Sequence, residues 1–113
     1  MGRLTTHVLD TANGKPGNGI TGQLYAIGTD VNLIAEFTTN QDGRVDKPLL
    51  GDNDFQCGTY ELVFNIGEYF ANETGEDSGF LSDVVLRFNL SKDEHYHVPL
   101  LVSPWSYSTY RGS

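Results

Sequence analysis

The 113-residue chain has little of several things, and each scarcity closes off a class of function. Cys57 is the one cysteine, so no internal disulfide can form and no multi-cysteine zinc site can be assembled. Its thiol reads as an inert, half-buried group suited to a reducing compartment. Basic residues number 7 against 15 acidic ones, and a formal charge of -8 repels phosphate backbones and anionic headgroups. Nucleic acid and membrane surfaces are therefore excluded as expected partners. No apolar run approaches the roughly 18 residues that a spanning helix needs, and the first residues lack the apolar stretch of a signal peptide. Gly2 with Thr6 formally fits an acylation pattern, but Leu4, Thr5 and Thr6 read as the start of a strand. Without a terminal Ser-Lys-Leu address the expected compartment is the cytoplasm, or the periplasm if a leader has been removed.

What the chain has is turn formers and short β-rich runs. Thirteen glycines punctuate them, and the rhythm argues for one all-β domain over 1–113. "LTTHVLD" (4–10) is followed by "TANGKPGNG", dense in turn residues, and by "ITGQLYAIG" (20–28). Next come "VNLIAEFTTN" (31–40), the turn "QDG", a short edge-like strand "RVDKPLL" (44–50) and "GTYELVFNI" (58–66). In "GEYFANETGE" (67–76) the alternation breaks and a one- or two-turn helix is expected. "FLSDVVLRFNL" (80–90) and two terminal runs complete seven or eight strands.

Alternation separates faces. In "HYHVPLLV" the set Tyr96, Val98, Leu100 and Val102 reads as core, leaving His95, His97, Pro99 and Leu101 on the opposite face. In the first strand Leu4, Thr6 and Val8 share one face and Thr5, His7 and Leu9 the other. His7 and His97 converge if these two strands lie in one sheet. Each candidate also has a plain alternative. His7 can be an ordinary strand histidine, Arg44 a solvated arginine after a hairpin turn, and Arg111 a soluble chain end. His95 and His97, at i and i+2, can alternatively chelate zinc or copper, although no third ligand stands at an obvious spacing.

Three stretches carry a resemblance. "LTTHVLDTANGKPGNGI", "TTNQDGRV" and "HYHVPLLVSPWSYSTYRGS" are similar to the corresponding segments of the transthyretin-like enzymes called 5-hydroxyisourate hydrolases, and the likeness covers nearly the whole chain. The terminal Tyr-Arg-Gly-Ser is the most discriminating element, because transthyretin carriers share the fold and much of the preceding stretch but lack that ending. The chain departs from the family pattern at "GFLSD" (79–83), where a proline after the aromatics is usual.

The resemblance implies a sandwich of two four-stranded sheets with one short helix, assembled as a homotetramer with its active sites in a central channel. It implies hydrolysis of 5-hydroxyisourate, a product of urate oxidation, to the ureidoimidazoline acid of purine breakdown. It also carries His7, Arg44, His97 and Ser113 into the site as catalytic residues, with no metal or organic cofactor required. In that frame His97 activates water with His7 as its proton-transfer partner, the two roles being exchangeable. Arg44 binds substrate and stabilises charge, Ser113 positions substrate or water, and Tyr110 and Arg111 shape the pocket wall. His95 becomes a neighbouring or rim residue. The competing reading is a non-enzymatic carrier of small aromatic ligands.

Overall fold

A computed structural model describes residues 2–74 and 79–112. Among the described residues eight strands form two four-stranded sheets. In chain order they are β1 (Arg3–Asp10), β2 (Lys15–Pro16), β3 (Thr21–Ile27), β4 (Val31–Thr38), β5 (Gly58–Phe64), β6 (Val84–Leu90), β7 (His95–Val102) and β8 (Tyr107–Thr109). One sheet runs β2-β1-β7-β8 and the other β4-β3-β5-β6. The expected sandwich is therefore present.

The first and penultimate strands are neighbours. β1 and β7 run parallel, with Thr5 opposite His97 and His7 opposite Pro99. Their inner faces carry Leu4, Val8, Leu100 and Val102, each at most 1% exposed, with Thr6, Tyr96 and Val98 beside them. The facing sheet supplies Leu24, Leu62, Phe64 and Val84, and burying each such side chain contributes about 1.5–3 kcal/mol. Thr6 is tolerated in the core because its hydroxyl donates to the Val98 carbonyl at 2.6 Å.

Helix α1 (Ile66–Thr74) occupies the expected region; the last residues of the expected span, 75 and 76, lie outside the described residues. Asn65 stands at its start and Glu68 favours the positive end of its dipole. Ile66, Tyr69 and Phe70, spaced i, i+3, i+4, face inward. The Tyr69 hydroxyl donates at 2.7 Å to Asp10, a fully buried carboxylate that also accepts from the Asn13 backbone and side chain. Burial and the Asp10 carboxylate push the Tyr69 phenol far above its ordinary pKa. That phenol is a permanent donor.

Three expectations need correction. The stretch 44–50 is not a strand: it touches β1 through isolated bridges at Leu4↔Leu50 and His7↔Arg44. Pro48 has no N–H to donate to a ladder between them. Conversely, Lys15–Pro16 lies inside the expected turn and pairs with β1. Cys57 is exposed rather than half-buried.

Candidate active site

The outer face of β1 and β7 carries the side chains left over from the core. His7 Nδ1 and His97 Nε2 are 2.6 Å apart, with the rings nearly parallel at 14°. Parallel pairing puts His97 opposite Thr5 rather than His7, so the two imidazoles meet on the diagonal. Thr5 Oγ1 lies 2.7 Å from His97 Nδ1 and 3.0 Å from His95 Nε2. Both ring nitrogens of His97 are thus engaged, whereas His7 Nε2 has no partner among the described residues.

The turn "NQDGR" brings in the guanidinium. Asn40 Oδ1 accepts from the backbone N–H groups of Asp42 and Arg44, and the Asn40 N–H donates to the Arg44 carbonyl at 2.7 Å. Gly43 adopts φ 74°, and a Cβ there would come within 2.4 Å of the Val8 carbonyl oxygen. That close approach allows Val8 N–H to donate to the Gly43 carbonyl at 2.8 Å, leaving Arg44 bridged to His7. Thr5, Thr6, His7, Arg44, Val45, His95 and His97 line a cleft of about 420 Å³, a volume suited to a small-molecule ligand.

Electrostatics set the protonation. Burial, then the Arg44 charge, lowers the His7 pKa below the ordinary histidine value of 6.5. Burial lowers that of His97 as well, followed by repulsion from His7, Arg44 and His95. At neutral pH the pair is therefore uncharged and able to accept a proton.

The chain end reaches the same place. Gly112 N–H donates to the His97 carbonyl at 2.6 Å, and a Cβ on Gly112 would press within 3.2 Å of the His97 ring. Extending the β7–β8 register from Leu100↔Thr109 to His97↔Gly112 sets Tyr110 opposite Pro99, in the row of His7. Arg111 falls on the other side. Its guanidinium donates to Glu94 at 2.7 Å and to the His95 carbonyl at 3.2 Å, and lies 4.4 Å from the centroid of the Tyr96 ring. In this chain Arg111 is a fastening for the tail rather than a wall of the cleft, because alternation turns it away. Ser113 lies outside the described residues. Sequence reasoning missed Thr5, whose neighbours in space are 90 and 92 residues away. A polar residue on the histidine face of β1 was the available signal.

A second cleft, of about 450 Å³, opens between β6 and β7–β8 and is lined by Val85, Phe88, Tyr96, Tyr107 and Tyr110 among others. It lies at the free edges of both sheets.

Residues 4–112 match the model of the HIUase/Transthyretin family. The 5-hydroxyisourate hydrolase of Pseudomonas aeruginosa is 56% identical over 117 residues, spanning 100% of this chain and 93% of its own length. The structure of the 5-hydroxyisourate hydrolase of Klebsiella pneumoniae aligns over 100% of both chains with a TM-score of 0.85 and 33% identity. An (S)-allantoin synthase structure aligns with a TM-score of 0.91 and 48% identity over 99% of this chain, which spans 44% of that longer one. From Leu4 on β1 to Gly112 beneath His97, the match takes in both sheets and the histidine face, and the chain belongs to the HIUase/Transthyretin family.

Proposed function

We infer that the chain is a hydrolase that opens 5-hydroxyisourate at its cyclic amide, giving 2-oxo-4-hydroxy-4-carboxy-5-ureidoimidazoline. The observation that carries this reading is the His7–His97 pair, 2.6 Å apart and beside Arg44 in one cleft. Its supports are the 5-hydroxyisourate hydrolases to which the chain is similar along its whole length.

Amide hydrolysis makes three demands: a water must be activated, charge on the attacked carbonyl oxygen stabilised, and the leaving nitrogen protonated. His7 Nε2, the open ring nitrogen, takes a proton from water as the water oxygen attacks the ring carbonyl carbon. His97 holds His7 in the matching tautomer. Of the two exchangeable roles, this geometry favours His7 as the base. Arg44 offers a planar fork of donors to the ring oxygens and to the oxygen that becomes negative in the tetrahedral intermediate. As the C–N bond breaks, the proton returns to the leaving nitrogen, and the new carboxyl group keeps the water oxygen. The family resemblance assigns Tyr110 and the Ser113 hydroxyl to positioning the substrate.

The assembly in this reading is a homotetramer. Trp105, Tyr107 and Tyr110, just before, on and just after the short edge strand β8, are 67%, 45% and 60% exposed, and Val85 is 48% exposed on edge strand β6. Unpaired edges flanked by aromatics suit pairing with a second copy. A carrier of aromatic ligands is the weaker reading, since two imidazoles and a guanidinium would be desolvated by an apolar ligand without compensation.

The test is to generate 5-hydroxyisourate in place from urate with urate oxidase and to follow its ultraviolet decay with purified protein. Decay faster than the spontaneous rate supports the hydrolase; a spontaneous rate from folded protein overturns it in favour of the carrier.

A further inference from the structure

The pair belongs to a longer hydrogen-bonded line, His7, His97, Thr5, His95, whose last two members the hydrolytic scheme leaves unused. Its links measure 2.6, 2.7 and 3.0 Å. His7 is half-buried at one end, and His95 is exposed at the other.

We propose that Thr5 is a positioning residue that couples the imidazole pair to His95, and that His95 is where the proton taken from water comes to rest. The proposal rests on the hydrolase reading above.

A hydroxyl has one hydrogen, so Thr5 sets one direction along the whole line. With the pair ready as a base, Thr5 O–H donates to His95 Nε2 and accepts from His97 Nδ1–H. His97 Nε2 then accepts from His7 Nδ1–H, and His7 Nε2 presents a lone pair to water. When His7 Nε2 takes the water proton, its Nδ1 proton passes to His97 Nε2 and the His97 Nδ1 proton passes to Thr5. The Thr5 proton passes to His95 Nε2. Every group but His95 ends neutral, and His95 is an imidazolium. All the directions have reversed, so His7 Nε2–H is now a donor aimed at the leaving nitrogen. The reverse sequence delivers the proton and restores the line.

The charge belongs at His95 for a physical reason. A cation on His7 or His97 is opposed by burial and by Arg44, whereas one on His95 is hydrated. The other charged groups nearby are Arg3, opposite His95 in the register and 3.6 Å from Asp52, and Arg111, 3.2 Å from the His95 carbonyl and paired with Glu94. No odd proton has to remain beside Arg44.

Three variants and one spectroscopic readout test this. Thr5→Val keeps the β-branched shape and removes the hydroxyl; it is expected to lower kcat about 10- to 100-fold with KM little changed, the effect of losing a hydrogen bond to a charged group. Thr5→Ser is expected to stay within about threefold of wild type, and His95→Gln, which can accept from Thr5 but cannot hold the proton, to fall with Thr5→Val. Nitrogen-15 NMR of the free protein supplies the readout that a merely structural Thr5 would not move. Protonating His95 should switch the neutral tautomer of His97 in wild type and not in Thr5→Val. Wild-type kcat in His95→Gln, or His97 signals blind to His95 in wild type, overturns the relay. Failure of the wild-type protein to accelerate decay strikes the hydrolase reading instead, and the NMR coupling still judges the line.

Discussion

A histidine becomes a useful base at neutral pH when something keeps it uncharged without removing it from water. For His7 and His97 that is half-burial together with the guanidinium of Arg44. The same effect has a price in stability with a definite sign. Both imidazoles bind protons less readily in the folded chain than unfolded, where their pKa is about 6.5. As pH falls through that value the unfolded state takes up protons that the folded state refuses, and stability is lost until the folded pair is protonated too. Denaturant midpoints at pH 7.5 and 5.5 should therefore fall less in His7→Asn/His97→Asn than in wild type. An equal fall in both would show that the pair is not strained by protonation. At this scale the sequence was partly legible. The faces of β1 and β7 could be read from alternation, and so could the prospect of His7 meeting His97. Thr5 could not, since its role depends on a parallel register between strands some 90 residues apart. The side assigned to Arg111 could not be read either, because it depends on how β8 continues to Gly112.

The elements hold the site still, and they do so with few polar contacts. β1 ends in Asp10, and that buried carboxylate is tied to α1 through Tyr69, so the helix clamps the far end of the strand that carries Thr5 and His7. Tyr69→Phe removes one donor from a buried acceptor and is expected to cost about 1–3 kcal/mol in urea unfolding, with kcat/KM little changed. A large loss of activity at unchanged stability would instead place the clamp in the chemistry. Strand existence was readable from composition and turn chemistry. The fate of 44–50 was not, because its apolar Val45, Leu49 and Leu50 suggested an edge strand that was overridden by Pro48 and by the needs of the Gly43 approach to Val8. That override is what leaves Arg44 beside His7 instead of spending it in a ladder.

For the whole molecule, two four-stranded sheets put their chemistry on an outer face, where one copy alone leaves the cleft open at the rim. The tail is drawn over that face by Gly112 and fastened by Arg111 to Glu94, an exposed pair that adds little stability. Deleting residues 111–113 is expected to lower kcat/KM about 100-fold, the scale of a misplaced substrate, while sedimentation reports the four copies of the proposed homotetramer and stability falls by about 1–2 kcal/mol. An active truncated chain would remove the tail from the site. A sedimenting monomer in wild type would remove the tetramer.

The measurement that bears most directly on the central claim compares His7→Ala and His97→Ala with wild type in the decay of 5-hydroxyisourate generated from urate. The account predicts that wild type accelerates the decay and that each substitution lowers the catalysed rate roughly 10²- to 10⁴-fold in a protein that stays folded. Wild-type turnover in either variant would contradict the pair as the source of the base.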